Sequence, residues 1–190
     1  MRIPQQAKLL EFVTEKHKDQ VRKYIGEPYL VHLIAVAEMA EKTNVFFGWE
    51  IGLCHDLLED TNCDRFELFD HLISIGYTAI TANHIRVNVE QLTDKYTKEA
   101  FPSYNRSLRK QLEADRLYNT SPDAQTVKYC DLINNTQSIV EHDKGFARVY
   151  LAEKRYMLSG MTKGDPSMRS KCIDCLNDAN QIMWEYESIK

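Results

Sequence analysis

IGLCHDLLEDT, residues 51–61, sets His55, Asp56, Glu59 and Asp60 among Ile51, Leu53, Cys54, Leu57 and Leu58. Apolar residues at this density predict a core-packed helix, here over about 47–59. Burying an ionisable side chain costs several kcal/mol unless it is paired, hydrogen-bonded or bound to metal. A solvated polar face is the alternative. Such a face draws on Lys and Glu rather than His, and it does not crowd three carboxylates without a nearby cation. The segment therefore points to a metal or acid–base site carried by a helix.

Outward from this segment the helical period dominates. Upstream, residues 5–19 place Leu9, Leu10, Phe12 and Val13 on one side. Gly26 and Pro28 mark a loop over 20–29, and helix resumes at about 30–43. Downstream, Asp64 can cap a helix over 65–75 that Gly76 stops. Further helices are expected at 78–92 and 105–117, separated by a polar, irregular stretch. Ser121-Pro122-Asp123 is a helix start with Ser at the N-cap and Pro at the first position. That helix carries 123–140, and others follow at 146–161 and 167–188. Seven Gly and five Pro in 190 residues leave little room for a many-stranded fold. The expected class is all-α, with no sheet.

The totals set further bounds. A chain of 190 residues suits one domain. A net charge of -4 provides no whole-protein basic field, so nucleic acid is not an expected partner. Mean hydropathy is -0.47. No apolar run reaches membrane-spanning length and the N-terminus lacks a secretory leader, so a cytoplasmic protein off the membrane is expected. Five Cys are scattered, and the lone Cys172-x-x-Cys175 has no second pair, so small buried hydrophobes are the expectation.

Two more polar residues lie in apolar surroundings. His32 sits in PYLVHLIAVAEMA and Asp131 in TVKYCDLINNT. Alone, His32 reads as a hydrogen-bonded core residue, and Asp131 as a cap or an ion-pair partner of Lys128 one turn earlier. Taken with His55 and Asp56 they make a mixed nitrogen and oxygen donor set suited to Mn, Fe, Zn or Mg-like ions. A catalytic metal also needs water and a proton acceptor, and Glu59 and Asp60 lie one turn from the ligands to orient that water or shuttle its proton.

The order H…HDxxED…D resembles the signature of HD-superfamily phosphohydrolases. RKYIGEPYLVH at 22–32, CHDLLEDT at 54–61 and SPDAQTVKYCDLINNT at 121–136 resemble three motifs of the Rel/Spo hydrolase domain and of stand-alone small alarmone hydrolases. The likeness runs from about residue 8 to 160. It implies an HD-type helical bundle, one HD domain over 1–190 with a core at about 5–161 and a C-terminal helix extension at 162–190. It implies hydrolysis of the 3′-pyrophosphate of guanosine tetra- or pentaphosphate, with one divalent metal, Mn²⁺ preferred. Carried over by position, His32, His55, Asp56 and Asp131 resemble the metal ligands, and Glu59 and Asp60 the catalytic acid pair. Arg22, Lys23, Tyr29 and Asn135 match substrate-side positions. Arg148 and Tyr150 are the candidates for the family's phosphate-binding Arg and Tyr, and Lys128 resembles a lysine one turn before the last ligand.

The sequence departs from the family over 76–92, where His84 and Arg86 stand at unmatched positions; His84 reads as a surface or satisfied helix residue. Arg106, Arg109, Lys110 and Arg116 form a basic cluster that faces either polyphosphate or solvent. Beyond 161, Ile182, Met183, Trp184 and Tyr186 supply apolar area for a docking helix or a homo-oligomer interface. Three rival functions stand beside the alarmone reading. One is an HD phosphohydrolase of dNTPs, nucleoside monophosphates or NADPH. Another is a non-catalytic nucleotide-binding module, and the third a purely structural bundle.

Overall fold

The structure, a computed structural model, describes residues 2–188. Ten helices follow in chain order: α1 (Pro4–Lys16), α2 (Leu30–Glu41), α3 (Gly48–Cys54), α4 (Leu57–Asp60), α5 (Arg65–Ser74), α6 (Ala79–Leu92), α7 (Arg106–Leu117), α8 (Pro122–His142), α9 (Lys144–Gly160) and α10 (Pro166–Ser188). Among the described residues there is no strand, only an isolated antiparallel bridge between Val21 and Pro28. The fold is all-α. No described helix is long and apolar enough to cross a membrane.

The helix starts follow local chemistry. Asp64 Oδ1 accepts from the amides of Phe66 and Glu67, both at 2.8 Å, and so caps α5. Ser121 Oγ accepts from the Ala124 amide at 3.0 Å, with Pro122 opening α8. Caps of this kind contribute about 1 kcal/mol each. The helix expected over 47–59 is instead two, α3 and α4, parted by a turn at His55 and Asp56.

The helices group into two compact units, Met1–Thr93 with α1–α6 and Asp94–Lys190 with α7–α10. In the first, α3 packs chiefly against α2. A Cβ at Gly52 would stand 2.8 Å from Ala37 Cα, and one at Gly48 would stand 2.6 Å from the Ala40 carbonyl oxygen. Carbon atoms repel well before that, since their optimal spacing begins near about 3.5 Å. The two glycines therefore let α2 and α3 touch backbone to backbone. Leu33 and Val36 of α2 and Ile51 and Leu53 of α3 are fully buried.

In the second unit α9 and α10 pack on α8, and α7 on α9. α10 buries Met168, Cys172, Leu176, Ala179 and Met183. Ile182 and Trp184 stay on its exposed side. All five cysteines are free thiols, and four are buried. Burial pushes Cys63, Cys130 and Cys172 up to about 12, so these sulfurs stay protonated and act as small hydrophobes.

Candidate metal centre

The break between α3 and α4 has a stereochemical reason. Consecutive residues on a regular helix point about 100° apart and do not share a face. Asp56 leaves the helical region (φ -101°, ψ 1°) and serves as the N-cap of α4, while its carbonyl accepts from the Asp60 amide at 2.9 Å. The turn lets two adjacent side chains converge: His55 Nε2 lies 3.0 Å from Asp56 Oδ2. His32, in the first turn of α2, completes the group. Its Nε2 is 3.3 Å from His55 Nε2 and 3.7 Å from Asp56 Oδ2. The helix–helix approach permitted by Gly48 and Gly52 is what brings α3 within reach of α2.

The protonation of His55 follows from its second nitrogen. Nδ1 lies 2.8 Å from the Gly52 carbonyl oxygen, an acceptor, so Nδ1 carries the proton. Nε2 of the neutral ring is then a bare acceptor facing the acceptor Oδ2 of Asp56. That juxtaposition calls for positive charge between them, either a second proton on His55 or a cation. The spacings fit a cation. Ligand atoms about 2.1 Å from one ion stand roughly 3.0 Å apart in octahedral and 3.4 Å in tetrahedral geometry. The imidazoles are at most 1% exposed, whereas the Asp56 side chain is 15% exposed. The group is thus closed on its histidine side and open on its carboxylate side, the side a substrate would approach. His32, His55 and Asp56 form a group able to hold a metal ion.

Around the group the chain supplies a polar shell. The Tyr29 hydroxyl donates to Asp56 Oδ2 at 2.6 Å, and its ring lies 5.3 Å from that of His32. Residues 20–29 fold back as a short hairpin, with the Tyr29 amide donating to the Gln20 carbonyl at 2.9 Å and the Arg22 amide to Glu27 at 2.8 Å. Arg22 and Lys23 ride on this hairpin, and the Lys23 ammonium sits 5.0 Å over the Tyr24 ring. Glu59 and Asp60 are solvent-accessible on α4. Asp60 Oδ2 accepts from Gln20 Nε2 at 3.1 Å. Partial burial of its carboxyl group, followed by the Asp56 charge, holds Asp60 above the ordinary carboxylate range, against the pull of Gln20, His17 and Tyr29.

His17 and Gln20 escaped the sequence reading. His17 is only 3% exposed. Its Nδ1 lies 2.5 Å from Gln20 Oε1, and its ring stacks on Tyr29 at 5.7 Å. Its Nε2 is buried with no hydrogen-bond partner among the described residues, which costs about 1–3 kcal/mol. The His-x-x-Gln spacing just ahead of Arg22 was the available signal, but a buried polar residue at the end of a helix leaves no periodic trace.

Asp131 belongs to the second unit, on α8. Lys128 Nζ contacts its Oδ2 at 2.8 Å and Asn135 Nδ2 donates to its Oδ1 at 2.5 Å, so one helix face holds all three. Arg148 and Tyr150, two positions apart on α9, face opposite ways. Arg148 is exposed and ion-paired with Glu187 of α10. Tyr150 is buried against Thr136, and burial followed by the Asp131 charge pushes its phenol well above the usual range. The basic cluster of α7 is engaged within the unit. Arg106 forks onto Glu153 through two 2.9 Å bonds, Lys110 pairs with Asp94 at 2.8 Å, Arg116 holds Glu113, and Arg109 donates to the Tyr104 carbonyl. His84 Nε2 lies 3.1 Å from the Phe46 carbonyl oxygen, a satisfied helix residue as expected.

No family model matches the chain. Two relatives of known function are similar to it. Guanosine-3′,5′-bis(diphosphate) 3′-pyrophosphohydrolase of Borreliella burgdorferi is 38% identical over 81 residues, 40% of this chain and 12% of the relative. The human guanosine-3′,5′-bis(diphosphate) 3′-pyrophosphohydrolase MESH1 is 31% identical over 141 residues, 70% of each chain. The chain thus spans about an eighth of the borrelial relative and most of the human one. A solved structure of a metazoan orthologue of SpoT, described as hydrolysing ppGpp and acting in starvation responses, superposes with a TM-score of 0.76. It is 16% identical and the match covers 94% of this chain and 97% of that one, a likeness of fold.

Proposed function

The chain belongs to the guanosine-3′,5′-bis(diphosphate) 3′-pyrophosphohydrolase family, and on that premise we propose that it removes the 3′-pyrophosphate from guanosine tetra- and pentaphosphate. The observation that carries this reading is the convergence of His32, His55 and Asp56 beside the acidic pair on α4. In it, His32 Nε2, His55 Nε2 and Asp56 Oδ2 hold one divalent cation; the mixed imidazole and carboxylate set suits Mn, Fe, Zn or Mg-like ions, and the family resemblance points to Mn²⁺. Asp131 is the fourth ligand in this reading, on the strength of its motif alone. A cation held there supplies Lewis acidity, lowering the pKa of water and offsetting charge that develops on phosphoryl oxygens.

The chain's own groups do the rest. The Gly52 carbonyl fixes the His55 tautomer so that Nε2 presents its lone pair. The Tyr29 hydroxyl holds the Asp56 carboxylate in place. Glu59 and Asp60 orient the attacking water and accept its proton, a role that suits a carboxyl group raised above its usual range. Water attacks the phosphorus bonded to the 3′ oxygen, that P–O bond breaks, the proton taken from the water goes on to the departing 3′ oxygen, and a nucleoside 5′-di- or triphosphate and pyrophosphate leave. Arg22, Lys23 and Asn135 are the candidate substrate contacts, and of Arg148 and Tyr150, which face opposite ways on α9, only one can join them.

The test is product release by purified, Mn²⁺-loaded protein from ppGpp, pppGpp, ppApp, dATP, dGTP, GMP and NADPH. Pyrophosphate from the 3′-pyrophosphorylated nucleotides alone supports the reading. Turnover confined to dNTPs, GMP or NADPH keeps the metal group and replaces the substrate. Nucleotide binding without any turnover makes the protein a binding module.

A further inference from the structure

Behind the acidic pair lies a chain of contacts that the proposed reaction does not use. His17 Nδ1 is 2.5 Å from Gln20 Oε1, and Gln20 Nε2 is 3.1 Å from Asp60 Oδ2. An amide oxygen only accepts, so Nδ1 of His17 must donate. The opposite amide orientation would turn the Gln20 oxygen onto the Asp60 carboxylate, acceptor against acceptor. The tautomer of His17, the orientation of Gln20 and the position of the Asp60 oxygen are therefore one linked choice. The Gln20 backbone is pinned as well: its amide donates to the His17 carbonyl at 3.0 Å and its carbonyl accepts from Tyr29 at 2.9 Å.

The same imidazole has a second arm. It stacks on Tyr29, whose hydroxyl donates to Asp56 Oδ2. One buried ring thus touches both residues that hold the site's carboxylates, Gln20, which holds Asp60, and Tyr29, which holds Asp56 and also bears on Asp60. Its other nitrogen, Nε2, is dry and without a partner among the described residues. A phenyl ring would fill the place without that penalty, so stability does not explain a histidine here. Donation from Nδ1 does.

We propose that His17, acting through Gln20, is the positioning residue that sets the orientation of the Asp60 carboxylate. This rests on the reading of Asp60 as one of the acid pair. Its test uses the full chain, with Mn²⁺ and ppGpp as probes. In His17→Phe, kcat falls on the order of 10–100-fold, the usual effect of losing a group that orients a reacting residue. KM for ppGpp and the Mn²⁺ affinity by titration calorimetry stay within about twofold, and the thermal midpoint is unchanged or higher. His17→Asn, whose side-chain amide can donate from the place of Nδ1, recovers most of kcat. Gln20→Leu repeats the loss, and neither change adds to Asp60→Asn in a double-mutant cycle.

A readout independent of turnover comes from ¹⁵N-histidine NMR. His17 is the Nδ1–H tautomer in the wild type, and Asp60→Leu erases that preference by freeing the Gln20 amide. Wild-type kcat in His17→Phe, or a loss that tracks a fallen thermal midpoint and is not rescued by Asn, overturns the proposal. An Nε2–H tautomer overturns it too. Full activity in Asp60→Asn with the expected NMR result would instead remove the reading of Asp60 and leave the linkage standing.

Discussion

In the first unit, Asp56 faces two imidazoles and a phenol; in the second, Asp131 lies between Lys128 and Asn135, and Asp94 is paired with Lys110. The first arrangement gathers acceptors around a small volume. The second sets ammonium groups against each carboxylate. Burial lifts Asp94, but Lys128, Lys110 and Lys154 outweigh it and bring its carboxyl below the usual range. Lys154 is on the losing side of the same crowd. Burial, then Lys128 and Lys110, bring its ammonium down to about 8, with Asp131 and Asp94 opposing. A cluster that collects acceptors is built for a charge brought from outside. A cluster that pairs its charges internally holds the fold even without that charge. In the metal-free chain, substitutions in the two should therefore fail differently, those in the first costing little stability and those that break a pair in the second costing more.

The largest effect is expected at Asp56. Asp56→Ala should abolish Mn²⁺ binding and reduce turnover to background, with little change in the thermal midpoint of the metal-free protein. Normal turnover would sink the assignment. Lys128→Met should leave metal-free folding weaker by about 3 kcal/mol, because it strands a buried carboxylate. Chemical denaturation would show it, and pairing it with Asp131→Leu should recover most of the loss. An additive double variant would mean that the two side chains do not share an ion pair.

Between these extremes lies Gly52→Ala, which overpacks the α2–α3 crossing. About 1–3 kcal/mol is expected, or roughly 2–4 °C of thermal midpoint per kcal/mol in a chain of this size. It should also weaken Mn²⁺ binding, since it moves His55 away from His32. Unchanged affinity would separate the crossing from the site. The smallest effect has the opposite sign. Lys154 is protonated in both states below about pH 8, so its burial penalty is then fully present. Between about 8 and the ordinary 10.5 the folded chain releases the proton first, and wild-type stability rises with pH. Lys154→Met should therefore raise the midpoint at pH 7, with an advantage that fades across that window. An advantage that grows with pH would reverse the account.

How far the molecule could be read from its sequence depends on the range of the forces involved. Asp64, Ser121 and Pro122 announce their helices because capping is settled within four residues. The helical period of the apolar residues announced the all-α class for the same reason. The turn at His55 and Asp56 was hidden, because it departs from helical geometry to satisfy a contact with His32, 23 residues away. The partners of α7 were hidden too: Arg106 finds Glu153 across 47 positions, and no local pattern carries that. Residue types marked His32, His55 and Asp56, since buried imidazole and carboxylate are costly enough to be conspicuous. His17 and Gln20 were not conspicuous, because in a loop-flanking stretch they read as ordinary surface.

The glycine crossing of α2 and α3 has one more consequence. Where two helices meet backbone to backbone, no side chain stands between them to be exchanged for a larger or smaller one. The spacing of the imidazoles is then insulated from the drift that repacks the rest of the core. Mutations at Leu33 or Ile51 can change how firmly the unit holds without resizing the gap between His32 and His55. The protein can be made hardier or more fragile over many generations while the instrument at its centre keeps its calibration.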